Sequence, residues 1–293
     1  MLHKQICICD KAKLTTYVNI PNNKEKRPAL IICPGGGYVN TSIHEGECVA
    51  LQFVPKGYQC FVLDYSTLNQ NPECCQYPQP LIELAKTIEL VKIKSDEWYV
   101  DNDKIFLLGF SAGGNLIANY GNGYMNISKT LNIADSILKP TALILCYPAL
   151  NWKTEIKNLN DYKKAIDMQQ ITGEKKVINV GEELAKQANQ ALFKTEKPSL
   201  EQMESVSPYF HINKKTPPTF IWHTVTDDMV SVEQIYEYVV ALYKNNISHE
   251  LHVFKRGHHG LSLANQFSST KISNVNEQVS QWVALATTWL DTI

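Results

Sequence analysis

Nowhere in this chain of 293 residues does an apolar run approach the roughly 18 consecutive positions of a membrane-spanning helix. The opening Met1-Leu-His-Lys-Gln-Ile-Cys7 also lacks the basic segment and long apolar stretch of a secretory leader. An excess of charge of either sign is missing as well: 28 Lys and Arg face 29 Asp and Glu, a formal net charge of −1. Such a balance supplies no global field for nucleic acid, an anionic membrane surface or an acidic ligand. Together these absences predict a soluble cytoplasmic protein with a small or neutral substrate, binding neither nucleic acid nor membrane. Internal repeats and low-complexity tracts are absent too. The eight cysteines, Cys7, Cys9, Cys33, Cys48, Cys60, Cys74, Cys75 and Cys146, have no paired zinc spacing, and several fall in apolar runs. They read as reduced core residues rather than a disulfide framework, with Cys74-Cys75 in a plain surface loop.

The length suits one large α/β domain over 1–293 with a sizeable core. Strand-like runs recur at 29–33, 58–63, 104–108, 142–146, 219–223 and 250–254. Apolar residues at helical spacing occupy 45–54, 81–94, the stretch after 111, 232–244 and 275–290. Strands alternating with helices imply a mostly parallel sheet covered on both faces. The leading segment around 14–20 reads as antiparallel edge strands, because no helix-length connection separates it from the next strand. Residues 151–207 break the alternation, being rich in Lys, Glu, Gln and Asn without a convincing buried strand. That is too long for a bare loop, and the helical periodicity of 181–193 predicts a helical cap or insertion.

The most informative motif is Gly109-Phe-Ser-Ala-Gly-Gly114, directly behind the apolar run 104–108. A serine flanked two positions away on each side by glycine suits a strand-to-helix elbow, where strand and helix approach closely around a strained, exposed hydroxyl. Ser111 is therefore the candidate nucleophile. A serine hydroxyl is a weak nucleophile at neutral pH and needs an imidazole base oriented by a carboxylate. Downstream, the run 219–223 leads into a loop with Asp227 and Asp228, and 250–254 leads into Lys255-Arg-Gly-His-His-Gly260. One of the two aspartates is the candidate acid, the other a turn or capping residue. Of the adjacent histidines His258 and His259, one is the candidate base; no clustered partner supports a metal site. His44, His211, His223 and His252 read as surface or core residues. Pro34-Gly-Gly-Gly-Tyr38 follows the first of these buried strands and exposes backbone amides for a developing oxyanion, completed by the N–H of Ala112. It has neither the Gly-Lys-Ser/Thr of a phosphate loop nor dinucleotide-fingerprint spacing.

At this point the chain resembles the bacterial α/β-hydrolase-fold acetyl esterases and lipases, particularly those acting on acetylated xylan or xylo-oligosaccharides. The likeness rests on residues 32–38, Glu45-Gly-Glu-Cys-Val-Ala50, 56–65, 109–114, Pro217-Pro-Thr-Phe-Ile-Trp-His-Thr224 and His259-Gly-Leu-Ser262. The resemblance implies Asp227 as acid, from an acid-x-x-Val pattern, and His259 as base, from Gly-x-His-Gly-Leu. It further implies a Ser111–Asp227–His259 triad, an oxyanion hole of Gly36, Gly37 and Ala112, an acyl-enzyme intermediate, and a short-chain, acetyl-sugar ester as the small-molecule substrate, with no cofactor and no metal. Ser231 departs from the family's proline, and 151–207 carries over no substrate contact. The rival readings are a prolyl-oligopeptidase-type serine peptidase, which needs a propeller this chain does not contain, and a non-catalytic hydrolase-like binding protein. A histidine base predicts activity rising through an ionisation at about 6 to 7. Monomer and homo-oligomer are both compatible with the sequence.

Overall fold

The apolar runs assemble into one eight-stranded sheet in the computed structural model, which describes residues 1–9, 11–153, 178–269 and 271–293. The strands are β1 (Gln5–Cys9), β2 (Ala12–Tyr17), β3 (Arg27–Cys33), β4 (Gln59–Asp64), β5 (Val100–Phe110), β6 (Ala142–Cys146), β7 (Thr219–Thr224) and β8 (His249–Phe254). Their order is β1-β2-β4-β3-β5-β6-β7-β8. The pairs β1–β2 and β2–β4 are antiparallel, as the short connections at the amino end predict, and all other pairs are parallel.

Alternation of side chains along each strand divides the core into two layers. Ala29, Ile31 and Cys33 of β3, Ile105 and Leu107 of β5, Leu143 and Leu145 of β6 and Ile221 of β7 face one side. Leu30, Ile32, Phe106, Leu108, Phe110, Ile144, Cys146, Phe220 and Trp222 face the other. Both faces are buried, so the central strands read as continuous apolar runs instead of alternating ones. Helices α1 (Glu47–Phe53) and α2 (Gln79–Ile93) cover opposite faces, and α3 (Ala112–Leu131) joins α2 on the first.

Helix α4 (Ile178–Phe193) occupies part of the segment expected to form a cap, and residues 154–177 of that segment lie outside the described residues. The carbonyls of Ala191 and Leu192 accept from the Cys75 thiol at 3.4 Å and the Tyr77 amide at 3.3 Å. Cys75 is thus buried beneath α4, whereas the expected surface loop would leave it open. Helices α5 (Val232–Lys244) and α6 (Trp282–Leu290) pack against β7 and β8. Where the sequence suggests one helix over 275–290, the chain forms a short helical turn, Glu277–Ser280, and then α6. The carboxyl ends of β3, β5, β7 and β8 open on the same edge of the sheet, where parallel α/β sheets collect ligands.

Candidate active site

Ser111 sits between β5 and α3 with φ 49° and ψ −115°, left-handed backbone that costs a non-glycine residue about 1–3 kcal/mol. Its surroundings hold it there. The Ser111 amide donates to the Cys146 carbonyl at 3.0 Å, and its own carbonyl accepts from the Asn115 amide at 2.9 Å. The flanking glycines are sterically required: a Cβ on Gly113 would lie 2.0 Å from the Cys33 carbonyl oxygen, and one on Gly109 2.3 Å from the Gly113 oxygen.

The serine hydroxyl is 2.7 Å from Nε2 of His259, whose Nδ1 lies 2.8 Å from Oδ2 of Asp227. A carboxylate only accepts, so Nδ1 carries the hydrogen and Nε2 is free to accept from the hydroxyl. The loops after β7 and β8 are fastened together: the Thr224 and Thr226 hydroxyls donate to the Gly257 carbonyl at 2.7 and 3.0 Å. Of the two aspartates, Asp227 faces the imidazole, while Asp228 accepts the backbone N–H of His259 at 2.9 Å. His258 turns away toward Asn274, with Nε2 3.1 Å from its Oδ1. The structure therefore brings together the serine, aspartate and histidine singled out in the sequence.

Electrostatics bind the three groups further. Burial alone raises the Asp227 carboxyl, but His259, then His223 and the Val230 amide, outweigh it and hold the group below its ordinary value. For His259, burial acts downward, while the carboxylates of Asp227, Glu45 and Asp228 act upward and win, so its pKa stands above 6.5. Raised to about 9, His259 stands above the 6 to 7 expected of an unperturbed imidazole.

The loop after β3 passes beside the serine. Gly36 and Gly37 have φ of 122° and 63°, and a Cβ on Gly36 would lie 2.2 Å from the Asn40 carbonyl oxygen. The amides of Gly36, Gly37 and Ala112 donate to no acceptor among the described residues. A Cβ on Gly37 would meet Leu184 Cδ1 of α4 at 3.0 Å, so the putting of that helix over the loop is close. Tyr38 anchors the loop from below by donating to Asn115 Oδ1 at 2.7 Å. Asn115 and Asn119, four residues apart on α3, both donate to the Val206 carbonyl, and Asn122 donates to that of Pro208.

Sequence reasoning missed several groups here. Glu45 is buried beside Gly35, Tyr147 bridges Glu45 to the histidine loop, and His223, read as a core or surface residue, is fully buried beneath the acid. His223 Nδ1 lies 2.8 Å from the Thr224 carbonyl oxygen and 2.9 Å from the Thr224 amide nitrogen, while its Nε2, 3.7 Å from Asp227 Oδ2, makes no hydrogen bond among the described residues. Glu45 and His223 both lay within motifs that carry the family resemblance, a usable signal; Tyr147 had none beyond its place at a strand end. Ser231, the departure from proline, caps α5 by accepting from the Glu233 amide at 3.2 Å, so the helix start is kept by other means.

Comparison with known proteins gives the family and the fold. The BD-FAE family model matches residues 16–242, a span that includes Ser111 and Asp227 and stops before His259. Endo-1,4-beta-xylanase B of Butyrivibrio fibrisolvens is 28% identical over 250 residues, covering 85% of this chain and 35% of that protein. This chain spans 35% and 48% of the lengths of two curated relatives it matches. An alpha/beta hydrolase enzyme from a Medee basin deep-sea metagenome is 30% identical with a TM-score of 0.71, over 100% of this chain and 97% of that one. An acetyl ester-xyloside bifunctional hydrolase from Caldicellulosiruptor lactoaceticus is 28% identical with a TM-score of 0.72, over 96% and 88%. The fold, the strand-to-helix serine and the matched span lead to one assignment: this chain belongs to the BD-FAE family and has the α/β-hydrolase fold.

Proposed function

We propose that this chain is a serine carboxylester hydrolase acting on short acyl esters of sugar-type alcohols, acetyl esters foremost. The observation that carries the reading is the unbroken hydrogen-bonded series Asp227–His259–Ser111, at 2.8 and 2.7 Å. In acylation, Ser111 Oγ attacks the ester carbonyl carbon as its proton passes to His259 Nε2. The tetrahedral oxyanion is held by the amides of Gly36, Gly37 and Ala112. Collapse expels the alcohol, which takes the proton from His259, and leaves an acyl ester on Ser111. Water then repeats the cycle: it gives a proton to His259 and attacks the acyl carbon, and collapse breaks the acyl–Oγ bond as His259 returns the proton to Ser111, releasing the carboxylic acid and the free serine. Asp227 keeps the imidazole in the required tautomer and stabilises its cation throughout.

Sugar esters are favoured because this chain is similar to proteins named for xylanase and acetyl ester-xyloside hydrolysis. We read 1–293 as one domain in which the 151–207 segment, with α4 beside Gly37, caps the site. Four buried thiols, Cys33, Cys60, Cys75 and Cys146, are not in bridges and suit the reducing cytoplasm. A panel of aryl acetate, peracetylated xylose and a peptide amide tests the reading with the purified chain. Hydrolysis of both acetates and not the amide is expected; cleavage of the amide, or inertness toward both esters, overturns it.

A further inference from the structure

Behind Ser111 and His259 lies a second carboxylate that the proton-transfer steps do not use. Glu45, in the short helical turn Ile43–Glu45, is 4% exposed, yet neither oxygen lacks a partner. Its Oε2 accepts the Gly35 amide at 2.7 Å, and its Oε1 accepts the Tyr147 hydroxyl at 2.6 Å. The Tyr147 oxygen in turn accepts the Ser262 amide at 2.9 Å, three residues beyond His259. The Tyr147 ring packs edge-on against the His259 imidazole, with centroids 5.0 Å apart. One buried carboxylate thus joins the glycine loop, the carboxyl end of β6 and the histidine loop. Space around Gly35 is equally constrained: a Cβ there would lie 2.8 Å from Glu45 Oε2 and 3.0 Å from Ser111 Cβ.

Resting on the serine-hydrolase reading, we propose that Glu45 is a positioning residue of the reaction, acting through Gly35 on the oxyanion loop and through Tyr147 on His259. A buried carboxylate retained in apolar surroundings is costly unless its acceptors are filled, and here both are filled by groups belonging to the site. Fixing Gly35 sets where the next two amides point, and oxyanion donors lose effect when displaced by fractions of an ångström. Burial pushes the Glu45 carboxyl up, while the Tyr147 and Gly35 hydrogen bonds and His259 oppose that shift; in its ionised form Glu45 favours the imidazole cation that forms as Ser111 gives up its proton. Glutamine cannot reproduce the arrangement. Its oxygen can accept from one of the two donors, but its NH₂ then faces the other, and the charge is gone.

The test compares wild type, Glu45→Gln and Tyr147→Phe on an aryl acetate across pH. For Glu45→Gln a fall in kcat of about 10 to 100-fold is expected, a fraction of the effect of losing an oxyanion donor, with KM changed less than about threefold. The ascending limb of kcat/KM should also move to lower pH, because the imidazole has lost a neighbouring negative charge; a merely structural role does not shift that limb. Tyr147→Phe, which keeps Glu45 and its Gly35 bond, should lower kcat less and move the limb less, and it decides the matter if Glu45→Gln does not fold. Unchanged kcat and an unmoved limb in the folded variants overturn the proposal. Labelling of wild type by a fluorophosphonate separates the two failures: with labelling intact only the role of Glu45 falls, and without it the serine-hydrolase reading falls first.

Discussion

The imidazole of His259 stands between burial, which favours its neutral form, and three carboxylates, which favour the cation. The carboxylates win, and the sign of the consequence is fixed by the chemistry. Only neutral His259 can take the serine proton, so kcat/KM is low while the ring is charged and rises as pH passes the elevated value. A pH profile of ester hydrolysis should therefore have its ascending midpoint well above the 6 to 7 of an unperturbed imidazole, toward about 9; a midpoint of about 6 to 7 contradicts the account. The neighbouring pairs divide just as sharply. His259→Ala should cost about 10⁴-fold or more in kcat, on the scale of triad deletions, while His258→Ala, whose ring faces Asn274, should cost less than about tenfold. Asp227→Asn should cost about 10⁴-fold through the wrong tautomer. Asp228→Asn keeps an oxygen for the His259 amide and should stay within about tenfold. Steady-state kinetics of the four variants on one aryl acetate checks both contrasts.

Between strand and helix, the elbow works because three backbones meet where no Cβ fits. In Gly113→Ala the new methyl would lie 2.0 Å from the Cys33 carbonyl oxygen, so β3 and α3 must separate. A destabilisation at or above the usual 1–3 kcal/mol of overpacking, about 3 kcal/mol or more, is expected from urea unfolding. Gly123→Ala, on the same helix with open space around its Cα, should instead be neutral or stabilising by up to about 1 kcal/mol. Equal effects at the two positions would contradict the close-approach argument. This elbow was readable in the sequence because its signal is local: glycines at fixed offsets behind an apolar run. The five central strands β3 to β7 were readable for the same reason, since burial on both faces leaves uninterrupted apolar residues, whereas β8 is a half-buried edge strand. β1 was not delimited, because in Gln5–Cys9, a half-exposed edge strand, the apolar Cys7 lies on the exposed face opposite the inward Ile6 and Ile8, so the residue types do not alternate as the burial does. The polar start of β5 at Val100–Lys104 hid its first turns of strand in the same way. Glu45 lay in a legible motif, but its role did not show there, because it depends on Tyr147, 102 residues away. The choice between Asp227 and Asp228 likewise needed family resemblance, since two adjacent carboxylates differ only in the direction their loop gives them.

For the molecule as a whole, the proposed cap makes substrate choice depend on what α4 leaves open beside the glycine loop. That segment is dominated by Lys, Glu, Gln and Asn, and Leu184 of α4 already closes on Gly37. A long apolar cleft would add about 0.8 kcal/mol for each buried methylene, so activity would climb steeply from acetate to octanoate. The opposite is expected here: kcat/KM should fall beyond butyrate in a series of aryl esters, and a preference for octanoate would replace the short-acyl reading by a lipase-like one. All of these expectations stand on Ser111 as the nucleophile. The most direct measurement is reaction of the folded chain with a fluorophosphonate, followed by mass spectrometry of the peptides. The account predicts one adduct per chain, located on Ser111 and absent from Ser111→Ala, whose ester turnover also falls by about 10⁴ to 10⁶-fold. An unlabelled wild-type Ser111, or a Ser111→Ala variant that hydrolyses acetate at a near-normal rate, would contradict it.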